Sequence, residues 1–597
     1  MTDMTGKADG EGTPGKGDKG DQGGKELNES LMALAKRRGF IYPSYDIYGG
    51  VAGFYDYGPL GAPLKHNIEN CWREIFVLGE GFFEIETPAI GIEAVFEASG
   101  HLKEFSDLLV ECKKCGESFR ADHLITHLVP NADSLPPEEV DKVIKEKKVR
   151  CPECKGELTE ARPFNLMFKT NIGPGSKRAG YLRPETAQAM FTNFNFLYRH
   201  NRERLPFGVV QIGRGYRNEI SPRQGIIRIR ELNMAEAEIF FHPGHKVHPL
   251  FKDVSSDKVT LVPDDGKGPR EMTIGDAVTK KIIANEALGY YLARTARFLA
   301  AVGVDPKRTR FRQHEKDEMA HYASDCWDAE ASISFGWVEI VGVADRTCYD
   351  LTAHIKRSGV DMVAFIKYEE ARTVEKDVVV VDFKVLGPLF KGEAKLVEKA
   401  LQALDPAAMK GKEKVTVTLE GGKMVEIPSK AFKVERRTDN VSGERVVPHV
   451  IEPSFGIDRI TYCALEHAYK AMKKEGEDYV MLSLKPRVAP IKVGVFPLMP
   501  KDGLDEMAKA LDARLRASGV MTYYDDSGTI GRRYARMDEV GTPFCITLDF
   551  DSKNDGRATI RDRDTTEQAR VPIEGIPSIL SRLLAGEPFA SVKKSLA

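Results

Sequence analysis

Arginine and glutamate side chains alternate along two apolar runs within residues 206–241. The segment reads PFGVVQIGRGYRNEISPRQGIIRIRELNMAEAEIFF, which predicts an antiparallel hairpin whose mobile tip is the turn-rich sequence ISPRQG. Because alternate residues of a strand share a face, we expect Arg217 beside Glu219 and Arg228 beside Arg230. The planar arginine fork suits phosphate or carboxylate oxygens, and a nearby carboxylate can accept from an adenine amino group. The pattern indicates a nucleotide platform, with a solvated outer sheet face as the alternative.

Two further carboxylates stand where an apolar residue would cost less. Glu339 interrupts the apolar strand in GWVEIVGVADR, and Glu452 ends the strand in VVPHVIEPSFGIDRI. A buried charge is costly unless it has a partner, a metal or a ligand. For Glu339, a Mg²⁺ ion bridging ATP phosphates would be such a partner. A structural salt bridge is the alternative.

An arginine follows the second of these strands at a predicted helix start. The run from Phe455 places apolar residues at helical spacing as far as Met472, and Arg459 lies on its first turn. Free N–H groups at a helix start favour an anion, so Arg459 is well placed for a phosphate. An ordinary surface arginine is the alternative.

Four of the nine cysteines form two close pairs. Cys112 and Cys115 lie in CKKCGE, and Cys151 and Cys154 lie in CPECKGE. Four thiolates at this spacing are typical of a tetrahedral structural Zn²⁺ site, and a metal-free relic of such a site is the alternative. We expect the stretch around them, residues 103–165, to be zinc-ribbon-like.

These side chains must be positioned by a large domain with insertions. Residues 1–28 are nearly devoid of apolar side chains and predict a disordered tail. Residues 29–488 are predicted to form one large domain, with insertions at 103–165, 243–325 and 365–445. Residues 489–597 alternate short strands with helices, which predicts a separate α/β domain with a mostly parallel sheet.

Charge and hydropathy exclude several classes of protein. The 597 residues carry 87 lysines and arginines against 89 aspartates and glutamates, so any contact with nucleic acid must come from local patches. No apolar run has signal-peptide or membrane-spanning length, and the cysteines are too sparse for a disulfide scaffold. We therefore predict a cytoplasmic protein.

The segments taken together resemble the class II aminoacyl-tRNA synthetases. GFFEIETPAI, ending in Pro88, resembles motif 1; YRNE with its return RIREL resembles motif 2; and FGIDR resembles motif 3. The blocks YDIYGGVAGFYDYGPLG, YLRPETAQAMF, DCWDAEASISFGWVEIVGVADRTCYDL and VIEPSFG narrow the likeness to the glycyl family of the dimeric archaeal and eukaryotic-like type. Leu232 departs from the family, which has an adenine-stacking phenylalanine there.

The resemblance implies a fold and an ATP site. The fold would be an α+β catalytic domain, an antiparallel sheet flanked by helices, followed by an anticodon-binding domain. Arg217 would hold the ATP α-phosphate and the amino acid carboxylate, and Glu219 would hold the adenine amino group. The full ATP set would be Arg217, Asn218, Glu219, Arg228, Ile229, Glu339, Ile340 and Arg459, with Arg217, Glu219 and Arg459 as the catalytic residues.

The resemblance also implies a glycine pocket, made of Arg120, Glu185, Glu236, Glu452, Pro453 and Ser454. A pocket that grips only an ammonium and fills the space of a methyl group rejects larger amino acids by clash, so we expect no editing domain. The implied partners are ATP with Mg²⁺, glycine, a glycine tRNA and a second copy of the chain in a homodimer. A basic helix face with Arg532, Arg533 and Arg536 would lie in the anticodon domain, or would be an ordinary solvated face.

The alternative function is a catalytically silent, synthetase-like module that binds nucleic acid. Such relatives usually lose the ATP arginines. Arg217, Arg228 and Arg459 are all present here, which favours the enzyme.

Overall fold

The computed structural model describes residues 17–129, 131–132, 135–174, 178–222, 225–315, 323–419, 422–474 and 476–596. The chain divides into two units. One unit comprises Met1–Met362 with Val447–Ala597, and the other comprises Val363–Val446.

A nine-stranded sheet, here called the central sheet, forms the frame of the first unit. All neighbouring strands are antiparallel except two parallel pairs. These pairs are Phe83–Glu84 with Phe207–Tyr216, and Lys258–Val262 with Thr309–Gln313. This confirms the expected α+β fold. From edge to edge the strands are Arg270–Thr273, Lys258–Val262, Thr309–Gln313, Asp325–Ile333, Gly336–Thr347, His449–Gly456, Glu231–Phe241, Phe207–Tyr216 and Phe83–Glu84.

Three of these elements carry candidate site residues and are named for them. The Glu339 strand is Gly336–Thr347, the Glu452 strand is His449–Gly456, and the Arg459 helix is Ile457–Ala468. The Arg459 helix is shorter than its apolar spacing predicts. Met472 lies in the following strand Tyr469–Lys474, which pairs with Glu477–Leu482, and its side chain is exposed.

Apolar faces of helices close the main core against the central sheet. Phe455 is fully buried, and the rings of Trp72, Phe76 and Phe298 pack around it at centroid distances of 5.9, 5.3 and 5.2 Å. Burial of such rings is the main source of stability here. The helices of this unit before the Arg459 helix are Gly17–Arg38, Gly61–Arg73, Glu93–Ala98, His101–Glu104, Ala121–Ile125, Pro137–Glu146, Ala187–Thr192, Phe194–His200, Ile274–Thr279, Glu286–Val302 and Tyr349–Ser358.

The predicted tail is only partly comparable with the structure. Residues 1–16 lie outside the described residues, and residues 17–28 form the first turns of helix Gly17–Arg38 instead of a disordered segment. The Asn28 side chain accepts a 2.9 Å hydrogen bond from the Tyr462 hydroxyl. This hydrogen bond joins the helix at Asn28 to the Arg459 helix, in which Tyr462 lies.

The predicted insertions differ in character. Strands from 243–325 extend the central sheet, and helix Glu286–Val302 is largely buried, so this segment packs into the main core of its unit. Residues 103–165 contain a three-stranded sheet of Ser106–Glu111, Ser118–Arg120 and Arg162–Asn165 with its own small core. Smaller sheets pair Ile41–Pro43 with Tyr55–Tyr57, and Ala179–Leu182 with both Ile90–Ile92 and Lys169–Asn171.

The second unit, Val363–Val446, contains the range 365–445. Its long antiparallel strands are Ala364–Val381 and Phe432–Val446, and a second pair is Lys414–Thr418 with Met424–Pro428. Helices Phe383–Phe390, Ala394–Gln402 and Pro406–Met409 cover a core that includes Leu386, Val397, Leu401 and Ile427.

The C-terminal region contains a five-stranded sheet in the order Thr522–Tyr524, Val493–Pro497, Phe544–Leu548, Arg557–Asp562 and Gln568–Pro572. The first two pairings are parallel and the last two antiparallel, so the predicted mostly parallel sheet is a mixed one. The antiparallel hairpin after residue 556 is the part that the sequence analysis missed. The helices are Leu504–Ala517, Ile530–Glu539, Ser552–Asp555, Ile576–Leu584 and Phe589–Leu596.

The predicted basic face on helix Ile530–Glu539 is incomplete. Arg533 is 1% exposed and donates to the carbonyls of Pro497, Asp526 and Gly528, so it is a structural residue. Arg536 pairs with Asp525. Of the three arginines, Arg532 alone is described as exposed. No helix among the described residues is long and apolar enough to cross a bilayer.

Candidate active site

The predicted hairpin is confirmed, but the arginines predicted for the site lie beyond its strands. Strands Phe207–Tyr216 and Glu231–Phe241 pair antiparallel, from Phe207 with Phe240 to Tyr216 with Glu231. Arg217, Glu219, Arg228 and Arg230 lie in the connecting segment, so strand alternation does not set their faces. Arg223 and Gln224, at the predicted tip, lie outside the described residues.

The connecting segment brings two of the ATP candidates together. Arg228 Nε lies 3.3 Å from a carboxylate oxygen of Glu219. The Arg217 guanidinium lies over the Phe105 ring at 5.6 Å, and its backbone N–H donates to the Arg230 carbonyl at 3.0 Å. The Asn218 N–H donates to the Leu166 carbonyl at 2.8 Å, which fixes the backbone between Arg217 and Glu219.

Glu339 and Arg459 meet on the other side of the site. Arg459 Nη1 donates to the Glu339 carbonyl at 2.7 Å, and Arg459 Nε donates to the Ile227 carbonyl at 3.1 Å. The Glu339 side chain is 52% exposed, so the prediction of a buried charge is wrong for this residue. Glu339 lies near the solvent-exposed beginning of its strand, where a carboxylate keeps its hydration.

A solvent-open cavity joins these residues. Its lining includes residues predicted for ATP and one predicted for glycine, with Leu232 among their neighbours. The predicted residues that line it are Arg217, Ile229, Glu339, Ile340, Arg459 and Ser454.

Asp458 anchors this cavity to the hairpin. It accepts hydrogen bonds from the Tyr57 hydroxyl at 2.5 Å and from the Asn233 N–H and side-chain amide at 2.6 and 2.8 Å. Burial raises the pKa of the Asp458 carboxyl, although these donors lower it. The hydrogen bonds fix the start of the Arg459 helix against strand Glu231–Phe241. Asp458 was not predicted from the sequence, because an aspartate at a helix start is most often an ordinary capping or surface residue.

The glycine candidates on the central sheet lie deeper. Glu236 is 1% exposed and accepts from the Thr186 N–H at 2.6 Å and from the Ser454 hydroxyl at 2.8 Å. Ser454 lies opposite Glu236 on one neighbouring strand and opposite Gly342 on the other. The missing side chain of Gly342 leaves space beside these two groups.

Glu452 is buried, as predicted, but lies within its strand and not at the end. Arg346 Nη1 donates to it at 2.7 Å, and the same guanidinium makes two bonds to Asp350 at 2.9 and 3.0 Å. Burial raises the pKa of Glu452 to about 7, while Arg346 lowers it. The adjacent Pro453 is buried and pairs with Val343 of the Glu339 strand.

Glu185 joins the same group of charges from outside the sheet. Its oxygens lie 3.5 Å from His101 Nε2 and 2.9 Å from the Gln188 amide. Burial opposes its ionisation, but His101 and Arg346 outweigh that effect and lower the pKa of Glu185. Arg346, Asp350 and Gln188 were not predicted from the sequence. Arg346 and Asp350 are four residues apart in GWVEIVGVADRTCYDL, the block that contains Glu339.

Arg120 lies on the nucleotide side of these groups. Its guanidinium pairs with Asp107 at 2.9 Å and with Asp122, and Glu219 acts on its charge. Its described contacts are not with Glu185, Glu236 or Glu452.

The four predicted zinc ligands converge. Their sulfur atoms lie within 4.8 Å of one another, with Cys112 3.4 Å from Cys154 and Cys115 3.7 Å from Cys151. Tight turns at Gly116 and Lys155 bring each pair round, since their N–H groups donate to the carbonyls of Cys112 and Cys151. Four converging thiol groups fit a tetrahedral Zn²⁺ ion.

Comparison with known proteins identifies two regions. A family model described as "tRNA synthetase class II core domain (G, H, P, S and T)" matches residues 168–263. A second model, described as "Anticodon binding domain", matches residues 492–583.

Curated relatives match nearly the whole chain. A protein of Methanothrix thermoacetophila named glycine–tRNA ligase is 53% identical over 562 residues, which is 94% of this chain and 97% of that protein. Proteins of the same name from Methanocaldococcus jannaschii and Archaeoglobus fulgidus are 48% and 49% identical, covering 94% and 93% of this chain and 99% and 97% of their own lengths.

Proposed function

This chain belongs to the glycine–tRNA ligase family of class II aminoacyl-tRNA synthetases, so its reaction is tRNA aminoacylation, and we propose which of its residues activate glycine with ATP. One observation carries the proposal. A single cavity is lined by Arg217, Glu339 and Arg459, which are candidates for ATP, and by Ser454, which holds the glycine candidate Glu236.

Arginines would hold the phosphates. Arg217 would bind the α-phosphate and the glycine carboxylate, while Arg228 and Arg459 would bind the β- and γ-phosphates. Glu219 would accept from the adenine amino group, with Ile229 and Ile340 as apolar contacts for the nucleoside. The Asn218 backbone, fixed by Leu166, supports the placement of Arg217 and Glu219.

Glu339 would hold Mg²⁺. An exposed carboxylate oxygen at the cavity is the ligand type that this ion prefers, and Arg459 lies beside it. When bound, Mg²⁺ would neutralise phosphate charge.

The chemistry needs no enzyme nucleophile. The glycine carboxylate attacks the α-phosphorus, pyrophosphate leaves, and the terminal ribose hydroxyl of the tRNA then attacks the adenylate. The side chains orient the reactants and stabilise the charge that develops on phosphate oxygens.

Glu185, Glu236 and Glu452 would select glycine. Their grouped negative charge suits an ammonium, and Glu236 is fixed by Thr186 and Ser454. Pro453 would fill the space of a larger side chain. Arg120 would contribute through Asp107 and Asp122 on the Glu219 side.

Zinc and a second subunit complete the proposal. Zn²⁺ held by Cys112, Cys115, Cys151 and Cys154 would fix a fold that contacts the tRNA acceptor stem. A homodimer in the cytoplasm would be the working form, a proposal that sedimentation equilibrium tests by distinguishing the mass of one chain from that of two.

ATP–pyrophosphate exchange with each of the twenty amino acids offered singly tests the activation step. We expect exchange with glycine alone. Exchange with a different amino acid would overturn the pocket assignment. Absence of exchange, with and without tRNA, would favour the catalytically silent binding module, which the family membership does not favour.

A further inference from the structure

The buried carboxyl group of Glu238 lies on the same strand as Glu236 and accepts no hydrogen bond from the described residues. Glu238 is 0% exposed, and within the described part of the chain no N–H or O–H group donates a hydrogen bond to either of its carboxylate oxygens. An ionised carboxylate in that position would forfeit its hydration without compensation. The protonated, neutral carboxyl group avoids this cost, and its O–H can donate to an acceptor nearby.

Sheet register places a second carboxyl opposite it. Glu236 lies opposite Ser454, and Ile239 lies opposite Ile451. Counting along both strands from these two pairs puts Glu238 and Glu452 at the same level, although the ladder has no bonded pair at that level. Directly opposed side chains on antiparallel strands are close enough to interact, and two like charges there are destabilising. A proton on one of the two carboxyl groups would remove this repulsion and would supply a hydrogen-bond donor for the other.

Other charges near Glu238 do not remove the conflict. Burial is the largest cause that raises the pKa of Glu238, and the negative charges of Glu452, Glu236 and Asp350 raise it further. The pKa of Glu238 therefore lies well above its ordinary value. Arg346 opposes this effect, but its guanidinium is already engaged by Asp350 and Glu452. Glu236 is itself held by Thr186 and Ser454.

We propose that Glu238 is protonated at neutral pH and donates a hydrogen bond to Glu452, which orients the Glu452 carboxylate toward the ammonium of glycine. Glu238 is thus a positioning residue that acts through Glu452. The inference rests on the proposed function, because it assigns the ammonium of glycine as the group that Glu452 meets.

Two substitutions separate a donor from a mere filler. Glu238→Gln keeps a hydrogen-bond donor, and Glu238→Leu keeps a similar volume without one. In glycine-dependent exchange, we expect the KM for glycine to stay within about threefold for Glu238→Gln and to rise about tenfold or more for Glu238→Leu. The KM for ATP should stay unchanged in both, and the Glu238→Leu defect should shrink as rising pH ionises Glu452.

Infrared difference spectroscopy supplies a readout besides activity. Wild type minus Glu238→Gln at neutral pH should show the carbonyl stretch of a protonated carboxyl group, and its absence would overturn the proposal. Equal glycine KM values for Glu238→Leu and wild type, or an equal loss in both variants, would also overturn it. If Glu238→Leu fails to fold, Glu238→Met replaces it.

The infrared result also keeps this inference distinct from the proposed function. A wild-type protein with the infrared band but no glycine-dependent exchange would retain the protonated Glu238 and would sink the role of Glu452 in glycine binding along with the proposed function. Wild-type exchange without the band would leave the proposed function intact and remove the inference alone.

Discussion

Arg459, on the first turn of its helix, binds the Glu339 strand through both main chain and side chain: its Nη1 lies 2.7 Å from the Glu339 carbonyl oxygen and 3.3 Å from the Glu339 carboxylate. A substrate phosphate would compete with Glu339 for the Arg459 guanidinium, and Mg²⁺ would compete with Arg459 for the Glu339 carboxylate.

Arg459→Ala should therefore lower glycine-dependent ATP–pyrophosphate exchange by about 100- to 1,000-fold, the range expected when one preorganised donor to a developing charge is lost. Arg357→Ala serves as the matched control, because Arg357 is an exposed arginine that pairs with Glu97 on the surface. A wild-type exchange rate for Arg459→Ala would remove Arg459 from the phosphate site.

Arg346→Met should destabilise the first unit by about 3–5 kcal/mol, because it leaves Asp350 and Glu452 as buried charges without their cation. Denaturant unfolding followed by tryptophan fluorescence measures this, since Trp327 and Trp72 are buried in the main core. Arg214→Met, at an exposed pair with Glu231, should change stability by less than about 1 kcal/mol. Similar losses of stability in Arg346→Met and Arg214→Met would contradict the role of Arg346 as the cation that compensates Asp350 and Glu452.

The KM for glycine should fall as pH rises from about 6 to about 8. Burial raises the pKa of Glu452 to about 7, so the carboxyl is neutral below that pH and attracts the ammonium above it. The stability contribution has the opposite sign: a raised carboxyl pKa favours the folded state at low pH, and this advantage is lost as pH rises from the unfolded value through about 7. Exchange kinetics in Glu452→Gln should lose the pH dependence, and an unaltered profile would assign it elsewhere.

Metal analysis of the purified protein should find about one Zn²⁺ per chain. Cys112→Ser with Cys154→Ser should lose it, whereas Cys348→Ser, at a cysteine outside the cluster, should keep it. The double variant should also raise the KM for tRNA in aminoacylation while leaving glycine-dependent exchange unchanged. An unchanged KM for tRNA would argue against contact with the acceptor stem.

Arg533→Met and Arg532→Met should differ in their effect on the stability of the C-terminal region. Arg533 donates to three backbone carbonyls from a buried position, so its loss should destabilise this region by about 3 kcal/mol. Arg532 is exposed, so its loss should leave the melting temperature unchanged. Equal melting temperatures for the two variants would contradict the structural role of Arg533.

The sequence by itself determined the parts of this protein that depend on local pattern. Alternating apolar residues predict the two strands of the hairpin, the cysteine spacing predicts the four converging sulfurs, and quoted blocks such as YRNE and FGIDR identify the family. Each of these signals lies within one short segment, where periodicity and residue type are enough.

Only the tertiary structure decided where charges lie. Glu339 and Glu452 interrupt apolar runs alike, yet one is exposed near a strand's beginning and the other is buried against Arg346. Arg532 and Arg533 are neighbours in sequence, yet one faces solvent and the other binds backbone carbonyls. The burial and the partners of a side chain depend on strands and loops that are distant in the chain. Glu238 and Glu452, for example, are 214 residues apart in sequence but lie at the same level of neighbouring strands. A pattern within one segment carries no information about those partners, so the ionisation states of the candidate pocket follow from the packed sheet alone.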